Sequence, residues 1–277
     1  AALFSTALLL FAGTKPWVFM WTICFALYFG CKWLTWRRAR IAGSPAWRHW
    51  AYLWLWPGLD ARAFLDQNNR VAKPAVGAWL AALAETLFGV FLLWGMAGSI
   101  PAAQKSLQGW IGMAGIIFML HFGAFHLLAL MWQRFGVNAR PLMRAPVLAT
   151  SLADFWGRRW NSAFNRLAHD LVYRPLHRRL GAAAATMAVF LVSGLVHDLV
   201  ISVPARAGYG LPTCYFLLQG TGLLLERSEL GQKCGLRRGL VGRCYTVVLT
   251  AVPAYWLFHP AFVKNVILPM LHAIGAT

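Results

Sequence analysis

A histidine and an aspartate, His197 and Asp198, stand side by side in SGLVHDLV, inside a run over 182–203 that is otherwise apolar. An ionisable side chain in such surroundings is costly unless it has a partner or a task, which makes the pair the first candidate for chemistry. A neutral imidazole can take a proton from a hydroxyl near neutral pH. The competing use is structural, with His197 hydrogen-bonded to a neighbouring helix and fixing its packing. Other titratable groups occupy similar runs. His121 and His126 are five residues apart, about 140° around a helix of 3.6 residues per turn, so they do not share a face. HExxH zinc sites need i, i+4 instead. His121 is a candidate cavity-lining residue, although structural hydrogen bonding outweighs that reading, and Glu85 is read as one half of a structural pair whose partner the sequence does not name.

A second segment, 150–180, carries polar groups in a helical pattern. Ser151 and Asp154 form a Ser-x-x-Asp start, in which the hydroxyl caps a free backbone amide and the acid complements the helix N-terminus. Leu152, Phe155, Trp156, Trp160, Ala163, Phe164, Leu167 and Leu171 recur as an apolar stripe, and Asp154, Arg158, Asn161, Asn165 and His169 as a polar one. The spacing predicts one two-faced helix from Ser151, its polar face turned to a cavity, with a kink or restart at Pro175. No GxSxG elbow, phosphate-binding GxxxxGKS/T loop or set of closely spaced histidine boxes occurs. The five cysteines, Cys24, Cys31, Cys214, Cys234 and Cys244, form no CxxC pair, so no metal site or disulfide framework is expected.

The elements that hold these residues are made for hydrocarbon. Of 277 residues 59% are apolar and 12% charged, against about 25% charged in an average soluble domain. Apolar runs at 17–36, 76–98, 111–132, 182–203, 211–225 and 242–258 mostly approach the roughly 20 residues that cross a bilayer core. A shorter run at 1–13 is read as part of another helix. The missing initial Met suggests a chain that starts inside its gene product, and the run lacks the basic segment and cleavage pattern of a signal peptide. The aromatic stretch 47–59 is too short to cross and is expected to lie in the interface or re-enter, with Pro45, Pro57 and Pro74 punctuating the segment. Many of the 15 tryptophans fall near span ends, where anchoring at the headgroups is their ordinary use. The expected fold is an all-α polytopic membrane protein of about seven to nine transmembrane helices plus interfacial helices, as one domain over 1–277.

The formal charge of +18 does not make a nucleic-acid binder, because the charges lie in short loops and not on a solvated basic domain. Sidedness explains them. The segments 36–75, 132–181 and 226–243, with Lys32 at a span boundary, hold 22 of the 26 Lys and Arg, and Lys15, Lys105, Arg206 and Lys264 remain for the other side. The basic segments therefore face the cytoplasm.

Taken together, SLADFWGRRWN (151–161), VYRPLHRRLG (172–181), FLVSGLVHDLV (190–200), FALYFGCKWLTW (25–36) and WLFHPAFVKNVILPML (256–271) resemble the wax synthase branch of the membrane-bound O-acyltransferases, in that family's order and over most of the chain. The resemblance implies helices around an intramembrane tunnel in which a fatty acyl thioester meets an acceptor hydroxyl. It carries the family's histidine onto His197, as general base, and its polar partner onto Asn161, as a donor to the thioester carbonyl. The branch often has Glu where this chain has Asp198, which leaves the role of that carboxylate open. Arg158, on the polar stripe with Asn161, is the preferred contact for the phosphates of coenzyme A, against the alternative that each such arginine serves sidedness and anionic lipid. Trp160, Asn165, Asp198 and His121 complete the candidate substrate contacts. The resemblance implies an acyl-CoA co-substrate with no further cofactor, a lipophilic hydroxyl acceptor and lipids as neighbours; the expected location is a multi-pass position in a bacterial inner membrane. A long-chain alcohol is the leading acceptor, and a sterol, glycerolipid or polyketide-like hydroxyl is the alternative. A transporter relaying protons through its intramembrane His and acids is the reading from another class, but the paired interrupted spans it calls for are not found.

The charge asymmetry generates a direct test. Single cysteines placed near positions 140 and 235 should resist membrane-impermeant labelling from outside intact cells, and efficient external labelling there would defeat the assignment.

Overall fold

Hydrocarbon offers a backbone no hydrogen-bonding partner, so a chain of this composition satisfies its amides within helices. The computed structural model describes residues 13–39, 41–68 and 71–277, and among them the regular structure is helical throughout. The helix expected at 1–13 lies, Gly13 apart, outside the described residues. Five helices among those described are long and apolar enough to cross a membrane: Pro16–Ala39 (α1), Val76–Ala97, Lys105–Arg134, Ser162–Ala205 and Gly239–Leu257. Large side chains such as Phe25, Leu80, Leu87, Phe91, Leu195 and Val248 are exposed along them, as lipid-facing surfaces require. This is an integral membrane protein.

Between the first two spans lie Ala46–Leu55 (α2) and Ala61–Leu65 (α3), joined by an extended stretch. On α2, Trp47, Trp50 and Trp54 are exposed while Ala51 and Tyr52 are buried, the two-faced pattern of a helix at an interface. Val76–Ala97 (α4) and Lys105–Arg134 (α5) approach closely, because a Cβ at Gly89 would come within 2.3 Å of the Met119 amide and one at Gly123 within 2.3 Å of the Thr86 hydroxyl. His126 Nδ1 stands 3.8 Å from Glu85 across this contact, which supplies Glu85 with a partner.

The predicted single helix from Ser151 is two helices. Ser151 does cap the first, its Oγ accepting from the Asp154 amide at 3.0 Å. The turn then widens, the Trp160 amide reaching back to the Phe155 carbonyl at 2.8 Å, and the helix over 152–159 (α6) ends. Asn161 adopts φ +43, a left-handed conformation that asparagine tolerates better than most residues. A second helix (α7, 162–180) starts at Ser162 on a new axis, with the Ser162 amide bonded to the Leu142 carbonyl at 3.0 Å. Pro175 does not stop it. The Arg174 amide bonds to the His169 carbonyl, and this wider turn accommodates the missing donor of the proline. The break comes at Gly181 instead, where φ 80 and ψ 176 need a residue without Cβ.

Beyond Gly181 runs α8 (182–205), which returns through a short loop into Leu211–Arg227 (α9). These two helices pack tightly, since a Cβ at Gly194 would come within 2.7 Å of Thr213 Cα and one at Gly220 within 3.0 Å of the Phe190 ring. Gly239–Leu257 (α11) follows a short helix at Glu229–Lys233 (α10), and a helical stretch over 260–273 (α12), buried along one face at Phe262, Val263, Val266, Ile267, Met270 and Leu271, closes the described chain.

The ends of these elements sort as the charge distribution requires. At one end Trp21 Nε1 reaches Met270 Sδ, Trp94 Nε1 reaches the Ile274 carbonyl and Asn265 bonds to the Ala205 carbonyl, at 3.2, 3.2 and 3.0 Å. At the other, Trp132 Nε1 donates to the Leu55 carbonyl at 3.3 Å, Arg166 pairs with Asp60, and Glu226 meets the start of α6. The second group comes from the arginine-rich segments, the end that the charge rule assigns to the cytoplasm. The α8–α9 contact has no slack for a side chain: Gly194→Val should lower stability by about 1–3 kcal/mol, read as a lower melting temperature of the purified protein.

Candidate active site

His197 lies on α8, eight residues before its far end, about 12 Å at 1.5 Å per residue. Its Nδ1 is 2.7 Å from the Ser193 carbonyl. A carbonyl oxygen only accepts, so Nδ1 carries the proton and Nε2 keeps a free lone pair. The ring rests on Phe216 of α9, centroids 4.4 Å apart, and Phe216 rests on Trp156 of α6 at 5.7 Å. The close approach through Gly194 and Gly220 makes this stack possible.

Asp198 turns away from that lone pair. Its carboxylate accepts from the Gly210 amide at 2.8 Å, the Thr213 amide at 3.0 Å, Ser202 Oγ at 2.9 Å and the Thr213 hydroxyl. Placed among the substrate contacts by the sequence, it instead caps α9 and closes the α8–α9 hairpin, because protein donors fill both oxygens. Ser202 and His259 behind it are fully buried. His259 Nδ1 accepts from the Phe262 amide at 3.2 Å, so Nε2 bears the proton and faces Ser202 Oγ at 3.5 Å. A chain of donors thus runs from His259 through Ser202 to Asp198, one residue from His197. His259 was missed as a site residue, although HP within an apolar stretch was a signal that could have marked it.

At the cytoplasmic end α6 is organised by two buried acids. Glu226 of α9 accepts from the Leu152 amide at 2.5 Å and the Ala153 amide at 3.4 Å, holding the N-terminus of α6 against α9. Asp154, 5% exposed, takes Arg158 Nε at 3.0 Å and Arg159 Nε at 2.6 Å. Beside α6 opens a cleft of about 160 Å³ lined by Arg140, Arg144, Arg158, Arg166 and Asn165, with the stretch Gly58 to Asp60 as its opposite wall. Arg166 is paired with Asp60. Burial, and then the charges of Arg140 and Arg166, lower the pKa of Arg144 from its usual value. The arrangement suits phosphate.

The predicted site residues therefore divide between two places. Arg158 and Asn165 line the cleft, and Asn165 Nδ2 also braces α7 to the Trp156 carbonyl at 2.7 Å. Asn161 sits at the break beside them, its backbone nitrogen 3.2 Å from Met143 Sδ, and its side chain makes no hydrogen bond among the described residues. Trp160 stacks on Phe155, with centroids 5.5 Å apart. The structure does not bring Asn161 into contact with His197; the path between them runs through Trp156 and Phe216. His121 belongs to neither place. Its ring meets Phe125 at 5.3 Å and its Nδ1 is buried with no hydrogen-bond partner among the described residues.

Burial alone would raise the Asp154 carboxyl, but the hydrogen bond and charge of Arg159, together with the charge of Arg158, hold it below the ordinary aspartate value of 3.8. A lowered folded pKa contributes stability above the unfolded value and loses it as pH falls through the folded one. Asp154→Asn should therefore destabilise the protein by about 2 kcal/mol at pH 7. In thermal melts the gap to wild type should close as the pH falls below 3.8.

Residues 139–218, which include Arg158, Trp160, Asn161, Asn165, His197 and Asp198, match the family profile described as the membrane bound O-acyl transferase family. A probable long-chain-alcohol O-fatty-acyltransferase 2 of Arabidopsis thaliana is 36% identical over 148 residues, 50% of this chain and 43% of that relative. A long-chain-alcohol O-fatty-acyltransferase of Simmondsia chinensis is 34% identical over 142 residues, 47% of this chain and 40% of the relative. The probable long-chain-alcohol O-fatty-acyltransferase 3 of Arabidopsis thaliana is 29% identical over a longer stretch, 220 residues, 73% of this chain and 62% of the relative. The chain thus spans about half the length of the curated relatives it matches. The five motifs and these matches agree, and the resemblance of this chain to the wax synthase-like branch of the membrane-bound O-acyltransferases holds.

Proposed function

We propose that the protein is an acyl-CoA-dependent O-acyltransferase that esterifies a lipophilic hydroxyl, a long-chain alcohol in the first instance. The observation that carries this reading is the contact of His197 Nδ1 with the Ser193 carbonyl, which turns Nε2 of a histidine on a membrane-embedded helix toward the surroundings where a hydrophobic alcohol dissolves. Its support is the arginine cleft at the cytoplasmic end, where a water-soluble coenzyme arrives. The whole chain 1–277 acts as one catalytic domain with acyl-CoA as co-substrate and no further cofactor, in the inner membrane of a bacterium. α9 also crosses, because Asp198 holds its first turn at the far end and Glu226 its last turn at the cytoplasmic end. With the run at 1–13 the spans then number seven, enclosing the tunnel along which the acyl chain lies.

In this reading the phosphates of coenzyme A are held by Arg140, Arg144 and Arg158, and the thioester is oriented by the amide of Asn161. The acceptor hydroxyl gives its proton to His197 Nε2 as its oxygen attacks the thioester carbonyl. Collapse of the tetrahedral adduct forms the ester, breaks the C–S bond and releases coenzyme A thiolate, which takes the proton from the imidazolium.

Purified protein should convert labelled acyl-CoA and a panel of alcohols, sterols, glycerolipids and polyketide-like hydroxyl compounds to products identified by mass spectrometry, with long-chain alcohols preferred. His197→Ala should abolish single-turnover transfer at saturating donor while leaving a folded protein that binds acyl-CoA, and His197→Gln should behave alike. Near-wild-type transfer by His197→Ala would remove it as the base. Asn161→Ala should lose on the order of 10²–10³ in rate, as removal of a comparable oxyanion donor does. Arg158→Ala should chiefly raise the acyl-CoA concentration needed.

A further inference from the structure

Lys32 is the least expected residue of α1. It stands seven residues before the cytoplasmic end of that helix and is 1% exposed. None of the ion pairs formed among the described residues includes it. Its amine is instead enclosed by three acceptors: the Trp56 carbonyl and the Gly58 carbonyl, both at 2.5 Å, and the face of Tyr52, 3.6 Å from Nζ to the ring centre. The two carbonyls and the ring face leave the amine fully occupied by protein groups. Tyr28 adds a second tether, its hydroxyl donating to the Trp56 carbonyl at 3.2 Å, and Tyr52 is itself held by Thr35 Oγ1 at 2.7 Å.

What these bonds hold is the extended stretch between α2 and α3. It has no helix to satisfy its carbonyls, and Trp56 and Leu59 within it are 3% and 4% exposed, so water does not do so either. With its carbonyls drawn to Lys32, the stretch turns Gly58, Leu59 and Asp60 to the arginine cleft as one wall. A Cβ at Gly58 would strike the Trp56 ring at 2.3 Å, so the stretch is moulded closely. Asp60, fixed at its end, caps α3 by accepting from the Ala63 amide at 3.1 Å and engages Arg166. The position of that carboxylate decides which guanidinium of the cleft is neutralised and which remain for an anion.

Building on the acyl-CoA reading, we propose that Lys32 is a positioning residue for the donor: its buried amine shapes the Trp56 to Asp60 wall of the arginine cleft and so sets the affinity for the nucleotide end of coenzyme A. It touches neither the coenzyme nor the reacting atoms. A positioning role of this kind acts on the donor through its phosphates and leaves the acyl end alone, because the wall lies at the cleft and not beside His197.

The test uses the full chain in lipid nanodiscs and compares wild type, Lys32→Met and Tyr28→Phe. Coenzyme A binding is measured by calorimetry, and transfer is measured with acyl-CoA and with an acyl N-acetylcysteamine thioester, which lacks the nucleotide. Lys32→Met is expected to weaken coenzyme A binding roughly tenfold and to raise KM for acyl-CoA alike, a modest loss beside the on the order of 10²-fold that a misplacement of about 1 Å can cause. The kcat, and turnover of the truncated donor, should stay within about twofold of wild type. Tyr28→Phe keeps the amine and removes one tether, and should weaken coenzyme A binding by roughly two- to threefold. Unchanged coenzyme A affinity in Lys32→Met overturns the proposal, as does an equal loss with both donors, which marks a general structural role. If Lys32→Met does not fold, Tyr28→Phe decides, and wild-type affinity in it overturns the proposal. Wild-type protein that binds no coenzyme A defeats the acyl-CoA reading itself and this inference with it, an outcome distinct from binding that the variants leave unchanged.

Discussion

The Asp198 carboxylate closes the hairpin on which the membrane-embedded half of the site is built. A charge there is tolerated because two backbone amides and two hydroxyls, drawn from 202–213, surround it. By fixing where α9 begins, it sets the register at which α9 descends along α8, and the glycines at 194 and 220 then let the helices meet closely enough for Phe216 to lie on His197. The imidazole is oriented twice over: by the Ser193 carbonyl on its own helix and by the ring of the next. Preorganisation of this kind suits a base that must present one lone pair in one direction.

The same economy governs the cytoplasmic end. The chain has eight acidic residues against 26 basic ones, and most of the acids hold structure together. Glu226 caps α6, Asp154 gathers Arg158 and Arg159, Asp60 caps α3 and takes Arg166, and Glu85 faces His126. Among the described residues Arg140 and Arg144 pair with no carboxylate, and both line the cleft. Sidedness alone explains why arginines are on this face. It does not explain why four of them converge on one concavity, a convergence that follows from the fold of α6 and α7 around Asn161.

The two halves communicate through aromatic packing. Trp156, on the helix that carries Arg158, donates to Gln219 at 3.3 Å and packs on Phe216, which packs on His197. Gln219 is fully buried and bonded in turn to the Leu249 carbonyl of α11 at 2.6 Å, so α6 is tied to the spans by a polar bond as well as by rings. A donor bound at the cleft and an acceptor beside His197 would thus be held by one rigid set of helices.

Much of this was legible from local signals. Hydropathy marks the spans, lysine and arginine sort to one end of them, the Ser151 cap follows from its spacing to Asp154, and the cost of His197 and Asp198 in an apolar run marks them for attention. Each signal depends on a residue and its near neighbours, which the sequence determines by itself. The tertiary structure decided the rest. Asn161 reads as one more polar position on a helix, and it is a left-handed break because Met143 and Leu142, from another segment, take up the adjoining amides. Asp198 reads as a site residue, yet donors ten or more residues away claim its oxygens. Lys32 reads as a boundary charge, and it is a buried peg because the Trp56 and Gly58 carbonyls, in a stretch with no helix to satisfy them, take its amine as a donor. Which distant groups satisfy a buried polar atom is fixed by packing among helices, and in a low-dielectric interior that choice separates a structural charge from one free for chemistry.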